Sequence, residues 1–117
     1  MHELSIAGAI VEIAAAHAAG RRVHSVHVRV GHLRQVVPSA LEFAFELVAD
    51  GTAVDGARLE LEPVPAAGAC RACGAESEQD GFPLACKRCG GLDIDVIRGE
   101  ELQVDSLEVD DEMAVSA

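Results

Sequence analysis

The chain has 117 residues, half of them apolar, with 9 Lys and Arg against 20 Asp and Glu, for a net charge of −11. That length suits one compact unit, or a small domain carrying a smaller appendage, and no apolar run reaches the roughly 18 residues of a membrane span. An acidic surface repels phosphate backbones, and three Phe with no Trp or Tyr offer few rings for stacking, so nucleic acid is not an expected partner.

Nothing at the start resembles a basic segment followed by a cleavable apolar run, and the expected setting is cytoplasmic, away from membranes. Leu4, Ala7, Ile10, Val11, Ala14 and Ala18 fall on one helical stripe, with Gly20 where a left-handed cap belongs. The residues ahead of this first helix have a chemistry of their own. A free α-amine, the His2 imidazole and the amide between them can close small chelate rings around one ion in a plane. Such a plane suits Ni(II) or Cu(II) better than zinc, with Glu3 as a further oxygen or as the acceptor that orients the ring. The residues alone equally fit an N-terminal histidine that is merely exposed.

From Val23 the period changes. Val26, Val28 and Val30 alternate with Ser25, His27 and Arg29, which predicts the first strand. Ser39 and Glu42 have the spacing of a capping box, and Leu41, Ala44, Phe45 and Val48 form the stripe of a second helix that Gly51 ends. Phe43 and Phe45 are expected as core and interface residues of that helix. Leu59 and Leu61 alternate with Arg58, Glu60 and Glu62 in a second strand, which Pro63 and Pro65 are expected to stop. After a cysteine-bearing insert come "LDIDVI" and "ELQVDSLEV", and the apolar phase of the latter shifts between Val104 and Leu107 as at a bulge. Residues 111–117 read as a flexible tail.

The insert "CRACGAESEQDGFPLACKRCG" carries the clearest chemical signal. Cys70 with Cys73 and Cys86 with Cys89 form two C-x-x-C pairs, each followed at once by glycine, Gly74 and Gly90. Two such knuckles can aim four thiolates at one ion. Three readings fit the pattern: structural zinc, rubredoxin-like iron, and redox disulfides. A rubredoxin adds a small aromatic core, whereas only Phe82 lies between these knuckles, and a reducing compartment disfavours disulfides. A four-thiolate zinc site is closed to substrate, so it organises structure. With so few apolar residues, the insert is expected to need its metal to fold.

Of the other histidines, His17 lies in the last turn of the first helix, where the dipole favours an imidazole, and His24, His27 and His32 lie on or beside the first strand. No Ser-His-Asp set or phosphate-binding loop is present, so enzyme chemistry is not expected.

Taken together, "MHELSIA", "VHVRVGHL", "ALEFAFELV", the "CRACG" and "CKRCG" knuckles and "GEELQVDSLEV" resemble the HypA/HybF family, the nickel metallochaperones of NiFe-hydrogenase and, in some organisms, urease maturation. The resemblance implies an α+β fold with two helices packed on a small mixed three-stranded sheet, and an inserted zinc-ribbon-like four-cysteine domain. It divides the chain into a nickel-binding domain at 1–64 and 92–110 and a zinc-binding domain at 65–91. It implies nickel held by Met1, His2 and Glu3, and zinc held by Cys70, Cys73, Cys86 and Cys89. The GTPase HypB, the hydrogenase large-subunit precursor and urease maturation proteins are its implied partners. The chain departs from the family at His32, where an acidic residue commonly follows the glycine, and at Val37, Pro38 and Ser39, where some members supply a carboxylate ligand. His32 is the backup ligand. A zinc-ribbon interaction module with an inert N-terminus and a rubredoxin-like electron carrier are the competing functions, separable by metal content.

Overall fold

Helix α1 spans His2–Ala18 and buries Glu3, Ala7, Ile10, Val11, Ala14 and Ala18 in a computed structural model that describes residues 2–110. Met1 and the tail expected at 111–117 lie outside the described residues. The stripe matches the apolar spacing with one exchange: Leu4 is 53% exposed, and Glu3 takes the first buried position. A carboxylate can sit there because the Val37 N–H donates to its Oε2 at 3.1 Å, so leaving water does not strip it of partners. Ala19 and Gly20, at φ 53° and 84°, close the helix in the left-handed region.

Strand β1 (Val23–Gly31) leads through a 3-10 turn at His32–Arg34 into helix α2 (Pro38–Ala49). The expected capping box does not form. The N-cap is Val37, without a side-chain cap, and Pro38 opens the first turn. Proline presets φ and has no N–H to satisfy, so the helix starts ahead of Ser39. At the other end Asp50 is the cap residue, with Gly51 at φ 79° just beyond it. Leu41, Ala44, Phe45 and Ala49 face inward. Phe45 is therefore core, whereas Phe43 is 63% exposed.

Strand β1 is central in a three-stranded sheet between β2 (Arg58–Val64) and β6 (Leu102–Val109). It runs antiparallel to β6: the Asp110 N–H donates to the Arg22 carbonyl near one end, and the Gly31 N–H to the Glu101 carbonyl near the other. Val23, Val26 and Val28 are fully buried, as are Ile10, Leu41 and Phe45, and these side chains form the core beneath the two mutually packed helices. Strand β2 continues through Pro63 to Val64, past the expected stop, because an edge strand tolerates a missing donor. In β6, Asp105 and Ser106 are both exposed between half-buried Val104 and Leu107, the phase shift visible in the sequence.

A second sheet has the order β4 (Glu76–Gln79), β3 (Ala66–Cys70), β5 (Ile94–Arg98), antiparallel throughout. Cys70 pairs with Ile94, and the register shifts between Ala67 and Gly68. A Cβ at Gly68 would collide with Ile94, so glycine permits the close approach of β5. The architecture is α+β in two compact units. One comprises Val36–Glu62 with the stretches up to Val28 and from Gln103; the other comprises Arg29–Gln35 and Pro63–Leu102.

Candidate metal centre

The two C-x-x-C segments share the same backbone turn bonds. In the first, the Gly74 N–H donates to the Cys70 carbonyl at 2.8 Å and the Cys70 N–H to the Ala75 carbonyl at 2.9 Å. In the second, the Gly90 N–H donates to the Cys86 carbonyl at 2.9 Å and the Cys86 N–H to the Gly91 carbonyl at 2.8 Å. Both glycines have φ 78°, a left-handed turn that only a residue without Cβ adopts at no steric cost. Each knuckle contributes one buried cysteine, Cys70 or Cys86, and one exposed cysteine, Cys73 or Cys89.

All four Sγ atoms lie within 4.8 Å of one another. The contacts across the knuckles, Cys70 to Cys89 and Cys73 to Cys86, are 3.6 Å each. Four sulfurs at the Zn–S distance of about 2.3 Å from a tetrahedral ion stand about 3.8 Å apart, so the donor set fits zinc. A disulfide needs sulfurs at about 2.0 Å, and all four cysteines are free. The aromatic core of a rubredoxin is also missing from this segment, since its one ring, Phe82, is 61% exposed.

Backbone amides aim positive charge at the sulfurs. The Arg88 and Cys89 N–H groups donate to Cys86 Sγ at 3.4 Å each, and the Gly91 N–H to Cys89 Sγ at 3.3 Å. Donation from Cys89 and Arg88 lowers the Cys86 thiol to about 6. The Gly91 N–H also pulls Cys89 down, but Cys70, Cys73 and Cys86 crowded around it together outweigh that and push it up to about 12. Four thiolates at such distances repel one another, and a divalent cation bound among them would relieve that repulsion.

At the other candidate site, His2 Nε2 lies 3.4 Å from Glu3 Oε2. The same carboxylate oxygen accepts from the Val37 N–H. Val37, followed by the Glu3 amide itself, holds the Glu3 carboxyl well below its usual range, at about 2. Glu3 thus does two things: it faces the imidazole, and it supplies the carboxylate that helix α2 lacks at its own N-cap, where the helix dipole favours negative charge. Sequence reading missed the second role. The missing cap side chain at Val37 was its only local signal. Met1, assigned with His2 and Glu3 to nickel, lies outside the described residues.

Three of the four remaining histidines are engaged elsewhere. His17 Nδ1 donates to the Ile13 carbonyl at 2.9 Å, one turn back along α1. His27 spans its sheet, with Nε2 3.2 Å from Glu62 of β2 and Nδ1 3.2 Å from Asp105 of β6. His32 Nε2 donates to the Asp80 carbonyl at 2.8 Å, leaving Nδ1 as its acceptor. Among the described residues, the four cysteines are the one group of three or more His, Cys, Asp or Glu side chains gathered closely enough for a metal ion.

Residues 1–109 match the family model described as hydrogenase/urease nickel incorporation, metallochaperone, HypA. The hydrogenase maturation factor HypA of Geotalea uraniireducens is 48% identical over 110 residues, covering 94% of this chain and all of the relative. That of Nostoc punctiforme is 38% identical over 111 residues, covering 95% of this chain and 97% of the relative. The solution structure of the Ni metallochaperone HypA from Helicobacter pylori superimposes with a TM-score of 0.68 over 92% of this chain and 96% of that one, at 20% identity. At that identity the likeness speaks for the fold.

Proposed function

The chain belongs to the HypA family of hydrogenase and urease nickel-incorporation metallochaperones, and on that premise we propose where it carries its cargo. Nickel is bound at the N-terminus by the α-amine of Met1, the Nδ1 of His2 and the amide between them. The observation that carries this reading is the contact of His2 Nε2 with the Glu3 carboxylate. A carboxylate on one ring nitrogen fixes the tautomer and leaves the other nitrogen, Nδ1, as the donor. Nδ1 is also the nitrogen that closes a small chelate ring with the preceding amide. His2 is the first residue of α1, so its N–H has no intrahelical acceptor, and coordination there breaks no helix hydrogen bond. Glu3, tied to Val37, acts as the orienting group and not as a mobile ligand.

Zinc at Cys70, Cys73, Cys86 and Cys89 holds the second unit together and takes no part in transfer. The protein is a carrier, not an enzyme, and works in the cytoplasm. It delivers nickel to the hydrogenase large-subunit precursor together with the GTPase HypB, and the urease description of the family extends the acceptor set to urease maturation proteins. Because amine and imidazole must shed protons to bind the ion, acidification favours release.

Calorimetric titration of the untagged, zinc-loaded protein with Ni(II) tests the site. A Gly-Ser extension before Met1 converts the amine to an amide and leaves every side chain in place. The extended protein and His2→Ala are both expected to lose the tight nickel site while keeping zinc and helix content. Unchanged nickel affinity in the extended protein overturns the N-terminal assignment and moves attention to His32.

A further inference from the structure

Helix α2 carries two apolar stripes where a surface helix needs one. Leu41, Ala44, Phe45 and Ala49 are buried. On the opposite side, Ala40, Phe43 and Leu47 repeat at the i, i+3, i+7 spacing of a single face, all exposed; Phe43 is 63% and Leu47 59% accessible. A phenylalanine and a leucine one turn apart in water are not explained by the fold, because nothing in α1 or the sheet uses them.

The charge beside this stripe is of one sign. Glu42, Glu46 and Asp50 follow one another along the adjoining face, and α2 contains no Lys or Arg. None of the three acids is held in an ion pair among the described residues. Glu42 and Glu46 border a cavity of about 540 Å³ that also includes His24 and Arg58, but Arg58 is engaged by Glu60 at 3.0 Å. A second copy of this chain is a poor occupant, since the same three carboxylates would meet across a two-fold contact and each chain carries −11.

We propose that the Phe43–Leu47 face of α2, with its flank of Glu42, Glu46 and Asp50, docks a basic amphipathic segment of a partner protein: an apolar pair flanked by lysine or arginine. The proposal rests on the carrier reading, since a protein that hands over an ion must dock on its acceptor. The helix is tied to the residue that orients His2, because its N-cap amide donates to Glu3. Apolar anchors in such a face supply affinity, and the acids set the partner's sign and its rate of approach.

The probe is a synthetic helical peptide with leucine at i and i+4 and lysine along one flank, titrated into the zinc-loaded full chain and followed by amide chemical shifts. Shifts are expected along α2. Phe43→Ser with Leu47→Ser should weaken binding at least tenfold, and Glu42→Lys with Glu46→Lys should weaken it in a salt-dependent way. Reversal of two acids of the other unit, Glu76→Lys with Glu78→Lys, should change it little. Equal loss from that reversal, or shifts confined to β3 and β4, overturns the proposal in favour of general charge attraction. Self-association in sedimentation that Phe43→Ser abolishes overturns it in favour of a second copy. In cells, the Phe43→Ser, Leu47→Ser variant should bind nickel normally by calorimetry and fail to support hydrogenase maturation; normal maturation also overturns the proposal. Loss of nickel binding in His2→Ala and in the extended protein is read separately, so the two ideas fail independently.

Discussion

The four cysteines draw their whole ligand set from two short knuckles that repeat the same backbone bonds, each with a glycine at φ 78°. At the N-terminus, His2 depends on Glu3, and Glu3 on the Val37 N–H, 34 positions further along the chain. The first arrangement is local twice over, and one ion would bridge its halves. The second is local at the ligand and remote at the support. A closed four-thiolate site with self-sufficient halves suits a resident ion, whereas a single imidazole oriented by one neighbouring carboxylate would, on the proposed nickel assignment, release its ion without unfolding anything.

Cutting a knuckle gives the largest expected effect. Cys86→Ser removes a thiol that backbone donation from Cys89 and Arg88 holds at about 6, and should release zinc outright. Structural zinc sites contribute about 10–16 kcal/mol of apparent binding energy, more than a sheet of three short strands recovers by packing. Hydrogen exchange across β3, β4 and β5 should collapse to the unprotected rate, with α1 and α2 still protected. Zinc retained in the variant would sink the four-thiolate assignment, and loss of protection in both units would mean that neither stands alone.

The likeness of the knuckles is tested by Gly74→Ala and Gly90→Ala. Both positions are left-handed, and a Cβ at either meets open space, so the penalty is backbone strain alone, about 1–2 kcal/mol. Chelator competition should therefore report nearly equal losses of zinc affinity. A loss several-fold larger at one glycine would show that the halves are alike in hydrogen bonds but not in energy.

Residue spacing made the knuckles legible, because the backbone bonds that close each turn lie within six residues. The stripes of α1 and α2 and the alternation of β1 and β2 were legible for the same reason. What sequence could not show is long-range. Burial of Glu3 in place of Leu4 depends on an amide 34 positions further along the chain, and the Val37 N–H at the N-cap of α2 finds its acceptor only in a carboxylate arriving from α1. Strands β3 and β4, "AAGAC" and "ESEQ", have no apolar alternation to betray them; they are strands because their neighbours in the sheet supply hydrogen bonds. Pro63 stands inside β2 because only the topology places that strand at an edge.

A smaller effect is expected from Glu3→Gln, which keeps an acceptor for Val37 but removes the charge. The Glu3 carboxyl is lowered from 4.5 to about 2, so its ionised form stabilises the folded chain at every pH above its usual value, and that stabilisation fades as pH falls through the folded one. The urea midpoint of the helical unit, followed by circular dichroism, should be lower in the variant by a constant amount above about pH 5, and the two proteins should converge toward pH 2. A gap that is flat down to pH 2 would mean that the charge does not cap α2. In the same variant, nickel affinity should fall less than in His2→Ala, because the imidazole loses its orienting partner and not its donor atom.

The smallest effect belongs to Arg71, which sits between the knuckle and the sheet it rests on. Its guanidinium reaches Asp95 of β5 at 2.5 Å and Asp93 at 3.7 Å. The Arg71 hydrogen bond holds the Asp95 carboxyl below its usual range, so the pair's contribution is present at neutral pH and lost in acid. Both partners are more than half exposed, at 62% and 55%, and such a pair contributes little, less still as salt screens it. Zinc affinity in Arg71→Met should therefore stay within a few-fold of the native value, and the difference should vanish in molar salt. The neighbouring backbone bond, from the Arg71 N–H to the Asp93 carbonyl at 3.0 Å, survives the substitution and continues to hold the first knuckle against the approach to β5. A loss as large as that of a knuckle glycine would show that this surface pair, and not the backbone of the turn, sets where Cys70 stands.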